Sequence, residues 1–162
     1  MTFKRFEINK KTFSDDVLRQ TYKYQKIYGF DMSGGKHGTH NNEADAFKHT
    51  FMQAYASLSW LRLGAKVIGD YHEFVEGKND PEKERNMDLW NNSIGREIAD
   101  DIRKEYGVLK VQFMPIDKLC EMAAERTINK MKNGELITNP NDKRNYKNMM
   151  YDRLQDKDRL FY

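Results

Sequence analysis

The chain has 162 residues, of which 33% are charged and 38% hydrophobic, so it can form one folded domain and is not a disordered chain. Its net charge of +3 is weak evidence for a polyanion partner, and its apolar runs are too short to span a membrane. The N-terminus lacks the apolar core of a signal peptide, and the lone Cys120 excludes an intramolecular disulfide. We therefore expect cytoplasmic synthesis, with delivery out of the cell without a signal peptide left open.

The N-terminal part predicts one helix and one loop. Ser14 can cap the helix and the two aspartates after it suit a first turn, while Gly29 ends it. Three glycines within residues 31–40 predict a loop. Backbone amides at the start of the following helix would favour an anion, although the glycines match no phosphate-loop consensus.

The central prediction is a helix from about residue 43 to residue 63, capped by Asn42. Apolar residues cover nearly all of its sides, which is typical of a helix at the centre of its domain. They are Ala44, Phe47, Phe51, Met52, Ala54, Tyr55, Ala56, Leu58, Trp60, Leu61 and Leu63. Asp45 and His49 in its first turns would then be buried, and a buried charge needs a partner.

A shorter helix is predicted over about residues 65–75, and a long one begins at Pro81 and ends before Gly107. Residues 108–113 alternate between apolar and polar side chains and could form a short strand paired with residues 3–8.

Two further helices follow, one from Pro115 to about residue 132 and a very polar one starting near Pro140. The predicted fold is mainly α: a compact single-domain helical bundle around the helix at about 43–63, with at most a small two-stranded sheet. One domain spans residues 1–162, with a site-bearing core at about 41–106 and a basic C-terminal segment at about 139–162.

Three polar clusters at helical spacing suggest a site. Asp45 and His49 are four residues apart and share a helix face, so they could ligate one metal ion or act as an aspartate-oriented general base. A buried ion pair that fixes helix packing is the alternative. His72 and Glu73 are adjacent and diverge on a helix; we predict His72 as a metal ligand and Glu73 as the acid/base, against a solvated helix end.

The third cluster lies on the long helix. Asp88 and Asn92 share a face, where the carboxylate could bind the metal and the amide a substrate oxygen. Arg96 could clamp a phosphate or pair with a nearby acid. Asn91 is expected to tie neighbouring backbone, and Gly95 marks a close approach, most simply of another helix.

These motifs, Asp-Ala-Phe-Lys-His at 45–49, His-Glu at 72–73 and Met-Asp-Leu-x-Asn-Asn-x-x-Gly-Arg at 87–96, resemble those of an uncharacterised helical bacterial domain. That domain occurs at the C-terminal ends of large secreted or toxin-like proteins, and the resemblance covers about residues 41–99. Lys48 stands where the family pattern has Arg, which keeps a cation but removes a bidentate fork. A fainter similarity is to the zinc-dependent phospholipase C and P1-nuclease group, although this chain lacks that group's full set of histidine ligands.

The first functional hypothesis is a small metal-assisted hydrolase of phosphodiesters, such as a toxin or effector. Asp45, His49, His72 and Asp88 would hold a divalent ion, zinc or magnesium. Catalysis would use Asp45, His49, His72 and Glu73, and substrate would bind to Lys48, Asn92 and Arg96.

Both ends of the chain are basic around an acidic middle, which favours nucleic acid over phospholipid as the substrate. The C-terminal run mixes basic residues with tyrosines, as single-strand binding surfaces and many solvated helices do. Its basic residues are Lys143, Arg144, Lys147 and Arg153. The rival hypothesis is a non-catalytic binding or inhibitor module, encoded by a phage or a toxin system, that acts on a protein partner. Its polar clusters would be hydrogen-bond networks that hold helices in register. The oligomeric state does not follow from the sequence.

Overall fold

In a computed structural model of the protein, residues 10–59 and 80–159 are described, with side chains for residues 17–59 and 80–153. This part of the chain forms helices and no strand, which confirms the predicted mainly α fold. The helices are α1 Lys10–Tyr28, α2 Glu43–Ser59, α3 Glu82–Tyr106, α4 Val108–Phe113, α5 Ile116–Lys132 and α6 Tyr146–Arg159. None of the helices in these residues has the length and apolarity that crossing a bilayer requires.

Some local predictions are wrong. Residues 108–113 form the short helix α4 and not a strand, because six residues are too few to fix the hydrophobic period. Their proposed partner, residues 3–8, lies outside the described residues. Ser14 lies within α1, which begins at Lys10, and does not cap it.

The last helix also begins later than predicted, at Tyr146 and not near Pro140. Its cap is Asn145, whose side-chain oxygen accepts hydrogen bonds from the Lys147 N–H at 2.9 Å and the Asn148 N–H at 3.2 Å.

Helix α2 is buried among α1, α3 and α5, as its apolar circumference predicts. It begins at the predicted cap, where the Asn42 side-chain oxygen accepts a 3.0 Å hydrogen bond from the Asp45 N–H. Phe47 and Phe51 stack with ring centroids 5.6 Å apart, and each is almost fully buried. The predicted extension of this helix to residue 63 lies outside the described residues.

The contact between α2 and α3 is closest at Gly95. A Cβ atom there would overlap the carbonyl oxygen of Thr50 and lie 2.7 Å from the Cβ of Gln53. Further along both helices, Arg103 donates a hydrogen bond to the Ser57 carbonyl. The predicted close approach is therefore to another helix, and α2 and α3 run side by side in the same direction.

We expect Gly95→Ala to lower the free energy of unfolding by about 1–3 kcal/mol, because overpacking outweighs the gain of about 1 kcal/mol in helix propensity. Urea unfolding would measure this loss. Asp101→Ala, at an exposed position of the same helix, is the control and should change stability by less than about 0.5 kcal/mol. A stabilised Gly95→Ala protein would contradict the close contact.

Asn91 fastens the segment that follows α5, as expected from the sequence. Its side-chain amide donates to the Ile137 carbonyl at 2.8 Å and accepts from the Ile137 N–H at 3.0 Å. The neighbouring Trp90 donates from its indole nitrogen to the Glu135 carbonyl at 2.9 Å.

Arg144 also holds this segment, which comprises residues 134–137. Its guanidinium donates to the carbonyl oxygens of Gly134 at 2.7 Å and Leu136 at 2.8 Å, and it pairs with Asp142 at 2.6 Å. It also lies 5.3 Å from the centroid of the Trp90 ring. Arg144 is thus a structural residue, which its place in a basic run does not reveal.

Candidate functional site

The glycine-containing loop packs against the first turn of α2. The Asp31 carbonyl accepts a 2.9 Å hydrogen bond from the Ala44 N–H, and the Asn42 side chain donates to the Gly38 carbonyl at 3.0 Å. Gly38 has φ of +71°, and an added Cβ would lie 2.6 Å from the Met32 carbonyl oxygen, so glycine is needed there. Because the amides of Ala44 and Asp45 already donate within the protein, they are not available to an anion.

Asp45 is buried and both of its oxygens have partners. Oδ1 lies 2.7 Å from the Lys48 ammonium, and Oδ2 accepts a 2.8 Å hydrogen bond from the N–H of Asn41, a residue in the left-handed region with φ of 54°. Burial raises the pKa of Asp45, but the charges of His49 and Lys48 together with these hydrogen bonds outweigh it and hold the pKa below its ordinary value. This carboxylate therefore stabilises the fold at neutral pH, and that contribution is lost as the pH falls through the lowered pKa.

Three predicted site residues from two helices meet at one point. The His49 Nε2 atom lies 3.5 Å from Asp45 Oδ1 and 3.3 Å from Asp88 Oδ1. Ligand atoms of the three side chains all lie within 4.8 Å of one another, and the residues are only 4%, 6% and 9% exposed in chain order. The predicted His72 and Glu73 lie outside the described residues.

The three predicted substrate-binding residues lie in different environments. Lys48 directs its ammonium to Asp45 and to the Thr39 carbonyl, the latter at 3.1 Å. Asn92 is fully buried, and neither atom of its amide has a hydrogen-bond partner within the described part of the chain. Arg96 is 4% exposed. Asn92 and Arg96 are therefore interior residues of α3, and a substrate group would have to enter the interior to reach them.

Sequence reasoning missed the polar residues that continue this face along α2. Thr50, Gln53 and Ser57 are buried, and each has a side-chain oxygen without a hydrogen-bond partner among the described residues. The sequence contains a pattern that predicts two of them, because a polar residue stands at every fourth position of this helix: Asp45, His49, Gln53 and Ser57. Leaving a buried polar atom unpaired costs about 1–3 kcal/mol, so such atoms usually bind ordered water or a ligand.

The donor set fits a divalent metal ion. One imidazole nitrogen and two carboxylates are the ligand types found in catalytic sites of zinc and related metals. An ion at this point would share Asp45 Oδ1 with Lys48. Without an ion, a protonated His49 between two carboxylates would be a buried ionic network that fixes the register of α2 and α3.

These features define a mainly α-helical domain with a buried aspartate–histidine–aspartate cluster between two helices. The family model "Domain of unknown function (DUF6973)" matches residues 9–135, and the chain belongs to this family. The matched span contains Asp45, His49 and Asp88 and ends before α6. No solved structure matches the chain.

Proposed function

We propose that the protein is a small hydrolase that cleaves phosphodiester bonds with the help of a divalent metal ion. The observation that supports this proposal is the convergence of Asp45, His49 and Asp88, which the sequence places 43 residues apart at the extremes. A bound divalent ion would polarise a phosphoryl oxygen and lower the pKa of a water molecule.

The protein's own side chains take separate roles in this proposal. Asp45, His49 and Asp88 bind the ion, and Lys48 orients Asp45 through their 2.7 Å contact. The buried amide of Asn92, which has no partner within the described residues, donates to a phosphoryl oxygen.

Residues outside the described part complete the proposed site. His72 remains the fourth proposed ligand and Glu73 the proposed acid/base. Within the described part, Arg96 of α3 neutralises charge on the phosphate in this proposal. Nucleic acid is the favoured substrate and phospholipid the alternative. A role as a toxin or effector is proposed from the resemblance of the motifs alone.

One observation favours the rival function, a non-catalytic binding or inhibitor module. Asp45 is already satisfied by Lys48 and by the Asn41 N–H, which is the arrangement expected of a structural ion pair. Under that function the cluster would hold α2 and α3 in register and would bind no metal.

Metal binding distinguishes the two functions. Calorimetric titration of the EDTA-treated protein with Zn²⁺, Mn²⁺ or Mg²⁺ should show one site, and Asp88→Asn should weaken it by about tenfold or more. Asp101→Asn makes the same chemical change at an exposed position of α3 and should leave affinity unchanged. An absence of metal binding, together with no hydrolysis of nucleic acids or phospholipids, would favour the binding module.

His49→Ala adds a readout of stability. If the cluster is a site, this substitution should abolish metal binding and hydrolysis and shift the melting temperature by only a few degrees, because functional networks are often not optimised for stability. A protein that unfolds on this substitution would support the structural role instead.

A further inference from the structure

A groove lies apart from the cluster, on another side of the first turns of α3. It has a volume of about 560 Å³ and runs between these turns and the segment that leads into α6. Its lining includes Lys83, Arg85 and Leu89 on one wall and Lys143, Tyr146 and Lys147 on the other.

Hydrogen bonds across the floor hold the two walls together. The Asn86 side chain donates to the Arg144 carbonyl at 2.9 Å and accepts from the Tyr146 N–H at 2.8 Å. Lys83 donates to the Asn141 side-chain oxygen at 3.0 Å. The groove is therefore already formed in the free protein, so a ligand would not have to order its walls.

The charge of the lining favours an anion. Five of its residues are basic and three are acidic. Arg144 and Asp142 pair at 2.6 Å and cancel, and besides that pair the lining has four basic and two acidic residues. Lys143 and Lys147 are exposed, so their ammonium groups are accessible to a ligand. Tyr146 and Leu89 add an aromatic ring and an apolar side chain to the same lining.

We propose that this groove binds a single-stranded nucleic acid, with its phosphates on Lys83, Lys143 and Lys147 and a base against Tyr146. Cations that follow a backbone, with an aromatic side chain for stacking, are the chemistry by which proteins hold single strands. An open groove also suits a polymer better than a small ligand, which is usually buried over most of its surface.

The groove and the cluster use different sides of the same helical turns. Asp88 lies between Arg85 and Leu89 in the sequence, and it faces α2 while they line the groove. A strand in the groove would pass within about one helix diameter, ~10 Å, of the cluster. The assignment of this strand as substrate rests on the proposed phosphodiesterase function, whereas its binding can be measured without turnover.

Two of the four basic residues that the sequence suggests for binding a single strand are instead engaged within the protein. Arg144 is held by backbone carbonyls and Asp142, and Arg153 pairs with Glu97 at 2.6 Å. Lys83, far from them in the sequence, belongs to the groove instead.

Fluorescence anisotropy with a labelled single-stranded oligothymidylate, in EDTA and over a range of salt concentrations, tests the groove. The triple variant Lys83→Gln, Lys143→Gln and Lys147→Gln should bind more weakly, and the slope of log affinity against log salt should become shallower by roughly 2, about 0.7 for each lost phosphate contact. The matched control removes three exposed lysines, Lys104, Lys110 and Lys118. Lys104 lies about 30 Å from Lys83 along α3, so this control should bind as the wild type does.

Equal weakening by both triple variants would show binding without a preferred surface and would overturn the proposal. Absence of binding at low salt, or binding of thymidine monophosphate as tight as that of the oligonucleotide, would also overturn it. Metal titration and strand binding of the wild-type protein separate the two proposals. Metal binding without strand binding by the wild type refutes the groove alone, whereas strand binding without metal binding or hydrolysis supports the groove and refutes the hydrolase.

Discussion

Phe51→Ala is expected to lower the free energy of unfolding by about 3–5 kcal/mol. The Phe51 side chain is 1% exposed and lies in a row of rings, with centroid distances of 5.6 Å to Phe47 and 5.9 Å to Tyr55. Its removal would leave a cavity in the middle of the helix around which the others pack. Urea unfolding, with an unchanged dependence on denaturant, would measure the loss.

Phe113→Ala is the matched control, because Phe113 is 76% exposed. The same change in side chain should alter stability there by no more than about 0.5 kcal/mol. Similar losses at the two positions, or a loss below about 1 kcal/mol at Phe51, would contradict the central position of α2.

Asn91→Leu and Asn92→Leu should have opposite effects although the two residues are neighbours and both fully buried. Leucine at position 91 would leave the N–H and carbonyl of Ile137 without their partner, at about 1–3 kcal/mol for each group. We therefore expect a loss of roughly 2–5 kcal/mol. Leucine at position 92 removes an amide that has no partner within the described residues, so stability should stay equal or rise.

The second half of this comparison bears on function. If the amide of Asn92 is held ready for a ligand, Asn92→Leu should combine unchanged or raised stability with reduced hydrolysis, as expected where stability has been given up for activity. Chemical unfolding and a hydrolysis assay on the same preparations would test this. A loss at Asn92 as large as that at Asn91 would assign Asn92 a structural hydrogen bond and remove it from the proposed site.

The sequence predicts best the helix ends that depend on local chemistry. Asn42 caps α2 and Pro81 precedes α3, while Gly107 follows α3 with φ of 85°, and each works through its own backbone or side chain. The start of α6 combines a local cap, Asn145, with a bond to Asn86, which accepts a hydrogen bond from the Tyr146 N–H from 60 residues away. No local pattern contains such a contact.

For the candidate site, the sequence likewise predicts what depends on local spacing and not what depends on packing. A spacing of four places Asp45 with His49, and Asp88 with Asn92, on single helix faces. Which faces meet is decided by packing between helices, above all by the absence of a side chain at Gly95. The roles of His72 and Glu73 stay predictions.

The bonds of Asn91 and Arg144 to the backbone of residues 134–137 also show where this fold ends as a cooperative unit. The family match stops at residue 135, yet Leu136 and Ile137 are nearly as buried as any residue in the core. Two hydrogen bonds between Asn91 of α3 and Ile137, and two from Arg144, cross that boundary or lie beyond it. The stretch up to Arg144 should therefore unfold together with the matched domain and not before it, so that the limit of family similarity falls inside a single folding unit.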